Sequence, residues 1–466
     1  MGTLSGLSHL ATGALLSDQI ALDATATNIG NQNTVGYERR AVVFTEGDRV
    51  SVGSTGAGTG VTATVHAQRD RVLQLAVQQA IAASAASTSR TSSLDQLQTI
   101  FQIDSSGQDA AGLGSAVSSF FSAAGSVAAS PARDSARQQM YAAAAGLVTT
   151  FHRAASQIVA ISSSLDQQVT TAVTEVNGLT AQFASINGEL AKSSSQQGTD
   201  TLLNRRDNVL TEIAKRIDVS SVSNADGTVN LTASDGTPLV QGSVAMALRT
   251  TVVAGTTRIV SSSDSGGRDV TTAIHGGSIG GALQARDQDI PALEARTNDL
   301  VYGLLDQVNR QNTAGFDGRG NPGGNLFLSG SAPGGQLAAI TLNATDASGI
   351  AASSTSAAND GLNAAAVAAL QTKPLVDGTT FAAALGGTLT ALGQTAADAR
   401  SASSAASAVL VQTTATRDAV TGVSLDQEAA DLTQYQRSYQ AAAKVLAIVN
   451  ELMAQAINLG TPTTVA

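Results

Sequence analysis

The residues that most resemble catalytic machinery are Gly276-Gly277-Ser278-Ile279-Gly280, which match a nucleophile elbow, a serine held on a sharp turn between strand and helix. Acyl-transfer chemistry at such a serine needs a histidine base, and in the hydrolase order the histidine follows the serine. The four histidines are His9, His66, His152 and His275, so none follows Ser278. The run therefore reads as a turn into a helix beginning near Ile279, and a secreted serine hydrolase using Ser278 stays only as an alternative from another functional class. Gly56, Gly58 and Gly60 resemble a phosphate-cradling loop, but no Lys-Ser/Thr pair follows them. Asp317, Arg319 and Asn321 imitate the start of a calcium loop, yet an arginine holds the second ligand position and Leu328 stands where a bidentate glutamate belongs. The chain has no cysteine, which excludes disulfides, thiolate metal sites and a cysteine nucleophile. The expectation is a protein that is not an enzyme and has no catalytic, cofactor or metal site.

If side chains do not react, they pack, and the composition favours thin helix-to-helix seams. The 466 residues are 42% hydrophobic but only 3% aromatic, without tryptophan, so the apolar content is mostly Ala, Val and Leu. Formal charge is −10 and the basic residues are scattered, which argues against nucleic acid or an anionic membrane as partner. No run of eighteen apolar residues exists, and the first basic residue is Arg39, so neither membrane insertion nor a classical cleavable signal peptide is expected.

The elements that carry the packing lie at the two ends. Leu4, Leu7, Ala11, Leu15, Leu22, Ala26 and Ile29 form one stripe of a first helix, closed by Asn28, Gly30, Asn31 and Asn33, with Thr34, Gly36 and Tyr37 in the turn that follows. At the other end Leu425, Ala429, Leu432, Tyr435, Tyr439, Ala442, Leu446, Val449, Met453 and Ala456 recur at steps of three and four. Two such seams predict that the first helix pairs with the last. Asp426 and Glu428 are read as acids favouring the positive end of the final helix.

Between the ends, strands or an extended linker fit residues 40–65, and a helix runs from Arg71 to Phe101. Ser130-Pro131 reads as the start of a long heptad-like helix from Leu147 to Leu190, and a shorter helix covers Leu202 to Ile217. Asp226-Gly227 and Asp235-Gly236 mark hairpins in a small β region. Helix returns over Ile279 to Gln311, Gln336 to Leu342 reads as a strand, and Phe381 to Val420 as an Ala-rich helix. The predicted fold is mainly α with a small β domain: terminal helices pairing as a coiled coil (1–40 with 422–466), a long α-helical bundle (41–217, 275–330 and 379–421) and an inserted β-rich outer domain (218–274 and 331–378).

Asn28-Ile29-Gly30-Asn31-Gln32-Asn33-Thr34-Val35-Gly36-Tyr37 resembles the amino-terminal signature of the flagellar rod, hook and hook-associated axial proteins. Further motifs narrow the resemblance: Leu203-Asn204-Arg205-Arg206-Asp207, Gly276 to Gly281 with Arg286-Asp287, Ala314-Gly315-Phe316-Asp317, and Gly422 to Glu428 with Tyr435-Gln436-Arg437-Ser438-Tyr439. Together they resemble the hook-associated protein 1 family, the first junction between hook and filament. Val35 stands where that family usually has proline, and Gln427 where it has a second acid. The long central heptads and the carboxyl-terminal match favour this family over the alternative of another axial protein, hook or distal rod.

The resemblance implies a structural protein of the bacterial flagellum, secreted by type III export and assembled as a ring of subunits at the hook–filament junction. Its implied partners are itself, the hook protein, the second junction protein and an export chaperone on the carboxyl-terminal helix. It also implies that the terminal helices fold as they assemble, with Leu4, Leu7, Leu15, Leu22, Asn28, Ile29, Asn31, Thr34, Gly36, Tyr37, Leu425, Leu432, Tyr435, Tyr439, Leu446, Val449 and Met453 as the interface.

Overall fold

The computed structural model describes the chain except residues 1, 35–36, 47–48, 53–54, 59, 102–111, 194–195, 263–266, 331, 333, 358–359, 376–377 and 460–466. The chain opens with helix α1 (Gly2–Asn31) and a paired-strand arm, β1 (Arg40–Glu46), β2 (Arg49–Val52), β3 (Thr55–Gly58) and β4 (Val61–Ala67). In that arm β1 pairs antiparallel with β4, Val42 opposite Val65, and β2 with β3. The described residues of 40–65, open between strands and linker in the sequence, thus carry four strands. Next come α2 (Arg71–Phe101), α3 (Leu113–Ala129), α4 (Asp134–Leu190) and α5 (Gln196–Ala214). The carboxylate of Asp70 caps α2, accepting from the amides of Val72 and Leu73 at 2.9 and 3.0 Å.

The β region holds β5 (Val219–Ser223), β6 (Val229–Ala233), β7 (Pro238–Gln241) and β8 (Val244–Ala245), an antiparallel meander in that order, beside the hairpin β9 (Leu248–Val253) with β10 (Thr256–Ser261). Both Asp-Gly pairs fall in turns, with Gly227 and Gly236 at positive φ. The helices then resume as α6 (Gly277–Gln284) and α7 (Ile290–Thr313), separated by a π-helical turn, Ala285–Asp289. Beyond them come β11 (Phe327–Leu328), α8 (Gln336–Ala339), β12 (Thr341–Leu342), α9 (Leu362–Ala369), α10 (Phe381–Thr421) and α11 (Leu425–Leu459).

The body is built around α4. At 57 residues and 1.5 Å per residue it is about 85 Å long. It buries Leu147, Phe151, Ile158, Leu165, Val169, Val176 and Phe183 as its heptads predict, against α3, α5, α6 and strands β7 to β10 rather than one partner helix. Its seam also takes in Val173, Thr180 and Asn187, and Ile161, Ala172 and Leu179 fall to the half-buried edge. Neighbours on several sides widen the buried stripe beyond a coiled-coil seam. Along its second half α4 engages its amides with the β region: the buried Asn187 donates to the Val229 and Gly242 carbonyls at 2.8 and 2.7 Å, and the half-buried Asn177 to that of Leu248 at 2.8 Å.

Some boundaries and one element differ from the sequence reading. Ser130 closes α3, and α4 begins at Asp134, so Pro131 lies in the turn between them. Gln336 to Leu342 is a short helix and a two-residue strand, because Gln336 is buried and tied to its own loop through the Gly330 amide and the Ala332 carbonyl. Residues 331–378, expected with the β-rich domain, carry α8 and α9, which pack on α3, α4 and α7.

The Gly276–Gly281 run is a packing corner. Gly277 has φ +68°, and a Cβ there would lie 2.2 Å from the Arg216 carbonyl carbon. At Gly281 a Cβ would lie 2.1 Å from the Ala86 carbonyl oxygen, so α6 touches the backbone of α2. Ser278 donates its amide to the Lys215 carbonyl at 2.9 Å, and its own carbonyl accepts from Ser89 Oγ at 3.0 Å. Overpacking of a close-packed contact costs about 1–3 kcal/mol. Gly281→Ala should therefore lower the unfolding free energy of the body by that amount, read as a lower urea midpoint, whereas Ser278→Ala leaves the midpoint nearly unchanged; an unaltered Gly281→Ala midpoint would show that the corner is loose.

Candidate assembly interface

The two ends of the chain meet through a buried polar knot at the base of the terminal helices. Asn28, 1% exposed near the end of α1, donates from Nδ2 to Glu428 Oε2 at 3.0 Å and to the Arg40 carbonyl at 2.9 Å. Its Oδ1 accepts from the Tyr37 hydroxyl at 2.8 Å and from the Arg40 amide at 2.9 Å. Every side-chain atom of Asn28 that can bond is therefore engaged. Glu428, also 1% exposed, accepts from Arg39 Nε through Oε1 at 2.6 Å, and the same guanidinium reaches Asp431 at 3.0 Å. The Arg39 amide donates to the Thr421 carbonyl at 2.9 Å, where α10 gives way to α11. Gly422 marks that break: a Cβ would sit 2.3 Å from the Asp418 carbonyl oxygen.

Burial raises the Tyr37 hydroxyl above the ordinary tyrosine range, with Arg40 opposing and Glu428 adding, so the phenol stays neutral and serves as donor. Beyond the knot, α1 packs along α11 and against β4, with Ser17 Oγ donating to the Val61 carbonyl at 2.6 Å. The strand arm also reaches α11, where Phe44 and Tyr435 have ring centroids 5.9 Å apart.

The predicted interface residues divide. Asn28 and Val449 are buried; Leu4, Leu15, Leu22, Ile29, Asn31, Tyr37, Leu432, Tyr435, Leu446 and Met453 are half-buried. Asn31 caps locally, donating to the Thr27 carbonyl at 2.9 Å and accepting from Thr34 at 3.3 Å. Gly36 lies outside the described residues. Leu7, Leu425 and Tyr439, expected within the seam, are 45%, 47% and 39% exposed. A single partner helix covers only a strip, and residues at the edges of the stripe remain in solvent.

Sequence reasoning named Asn28 and Tyr37 but missed the charged members of the knot, Arg39 and Glu428, and most of the exposed apolar half. Glu428, read as an acid favouring the helix dipole, is a buried partner of Arg39 and Asn28. Leu10, Leu16 and Ile20 on α1, and Val445, Ile448, Leu452 and Ile457 on α11, are exposed large apolar side chains. Val445, Ile448 and Leu452 lie at steps of three and four, a second stripe on α11 that the periodicity carries but a search for a single seam discards.

An out-and-back helical rod, closed at its base by the pairing of its first and last helices, is the class of protein that this fold and this knot define. Comparison with known proteins makes the class specific. Residues 94–327 match the family model described as the flagellar hook-associated protein FlgK helical domain, and residues 419–459 match the flagellar basal body rod FlgEFG protein C-terminal model. The chain belongs to the flagellar hook-associated protein FlgK family. It is 26% identical over 337 residues to flagellar hook-associated protein 1 of Salmonella typhimurium, covering 70% of this chain and 60% of that relative. The Bacillus subtilis protein of the same name is 24% identical over 502 residues, 98% of each chain. The flagellar hook junction protein FlgK from Burkholderia pseudomallei shares the fold, with a TM-score of 0.67 and 19% identity over 74% of this chain and 99% of that one.

Removing one partner of a buried ion pair costs about 3–5 kcal/mol; here, without Glu428, the Arg39 guanidinium would keep only Asp431, and the buried Asn28 amide would lose one of its acceptors. Glu428→Ala should therefore accelerate amide exchange in α1 and α11 by at least a hundredfold while leaving α4 and α7 protected. Equal protection of the terminal helices in the variant and the parent would refute the knot's role.

Proposed function

We propose that the chain is a non-catalytic structural subunit of the bacterial flagellum, positioned at the junction of hook and filament and assembled there through α1 and α11. The observation that carries this reading is the terminal pair itself: it is closed within one chain by buried polar contacts, yet leaves Leu7, Leu10, Leu16, Ile20, Val445, Ile448, Leu452 and Ile457 exposed. Exposed apolar side chains gathered on one element of a structure mark contact with another molecule. Family membership and the name of the relatives support this position. The match of residues 94–327 to the hook-associated helical domain favours the junction over rod or hook, although the terminal 419–459 segment is of a type shared with rod proteins.

On this reading neighbouring subunits, the hook protein and the second junction protein bury the exposed stripes, and a ring results. The free ends of α1 and α11, far from the knot, then gain their full order on assembly, since an apolar helix without partners is marginal in water. Passage through the flagellar type III channel fits a chain without cysteine, and an export chaperone would cover the α11 stripe beforehand. No helix among the described residues is long and apolar enough to cross a membrane.

Ile448→Glu with Leu452→Glu should leave a folded body with the parent's thermal midpoint, but abolish incorporation at hook tips and so motility; deletion of residues 423–466 should do the same. Normal hook–filament junctions built from either variant would refute the assignment.

A further inference from the structure

The motif Leu203-Asn204-Arg205-Arg206-Asp207 on α5 takes no part in the terminal knot, yet it sits where the base meets the body. Its partner is Arg69, in the short link between β4 and α2 at which the chain leaves the base. The Arg69 guanidinium donates to Glu38 Oε2 and to Asn204 Oδ1, reaches the Asp200 carbonyl at 3.4 Å, and lies 4.0 Å from Asp207 Oδ2. Glu38 stands between Tyr37 and Arg39. Those two residues turn into the knot with Asn28 and Glu428, whereas Glu38 turns the other way, towards the body.

We propose that Arg69 is a latch that sets the angle between the base, comprising α1, the β1/β4 arm and α11, and the long-helix body. The guanidinium suits this task because its planar fork can hold acceptors from two directions at once, which a lysine ammonium cannot do with the same geometry. Few other ties cross this joint: the Arg39 amide meets Thr421, and β4 touches α5. Burial raises both Glu38 and Asp207 above the usual carboxylate range, Arg69 opposes this at each, and the Asp207 charge raises Glu38 further. Without Arg69 the joint would hold two half-buried carboxylates facing each other, with Arg206 acting on Asp207 and Arg417 on Glu38 but neither bridging the two, which favours opening. The inference concerns the single chain and is independent of what the base assembles with.

The cysteine-free chain allows spin labels at two chosen sites only. With labels at Thr174→Cys on α4 and Ser438→Cys on α11, both exposed, electron–electron double resonance should give one narrow distance distribution in the full chain. Arg69→Ala and Glu38→Ala should each at least double its width while circular dichroism shows unchanged helix content. Val72→Ala, an exposed change three residues away, should leave the width alone. Unchanged widths in both latch variants would overturn the proposal, as would equal broadening by Val72→Ala. If Arg69→Ala loses helix content, Glu38→Ala and Asn204→Ala decide by the same criterion.

Discussion

A buried carboxylate must be matched by donors, and the structure at the base depends on how that demand is met at Glu428. An uncompensated charge there would cost several kcal/mol. Arg39 and Asn28 compensate it from segments 389 and 400 residues away, so the contact forms only when both ends of the chain are in place. Apolar stripes alone would let α11 slide along α1, because Ala and Leu at steps of three and four are nearly self-similar under a shift of one turn. The hydrogen-bond set of Asn28 removes that freedom. It ties α1 to the Tyr37–Arg40 turn and that turn to α11, which fixes axial position as well as pairing.

The same economy governs the body. With 3% aromatic residues and no tryptophan, the chain cannot fill thick interiors, and its helices approach closely at glycine and alanine instead. Gly281 against the Ala86 carbonyl is the clearest case. Where larger groups are buried, arginine collects several acceptors: Arg286, beside the π-helical turn, bonds Asp166 and the Thr257 carbonyl at 2.6 and 2.8 Å and Asp287 at 2.8 and 2.9 Å. That side chain joins α4 and the β9–β10 hairpin to the π-helical turn that holds Arg286 and Asp287.

Much of the fold was legible because long helices repeat their instructions. The stripes of α1, α4 and α11 each extend over many turns, and the Asp-Gly hairpins carry their own turn chemistry. Short or singular features were not. Gln336 to Leu342 is too brief for periodicity to separate helix from strand, and the buried Gln336 side chain decided it. Glu428 does lie in the first turn of α11, where an acid answers the dipole, but its partners were not legible because they lie at the far end of the sequence. Leu425 and Tyr439 belong to the stripe in pattern but not in burial, since pattern says which residues share a face and says nothing of how wide a partner covers it. The glycines around Ser278, a run that resembles a nucleophile elbow, have a steric purpose that spacing alone does not reveal.

The central claim is that Asn28 and Glu428 act as one buried unit that joins the chain's ends. A double-mutant cycle of Asn28→Ala and Glu428→Gln, read by amide-exchange protection in α1 and α11, measures that coupling directly. The account predicts an interaction energy of about 1 kcal/mol or more, the range for residues that share a hydrogen-bond network. Additive effects of the two substitutions would mean that the helices are held together by their apolar stripes alone, and would contradict it.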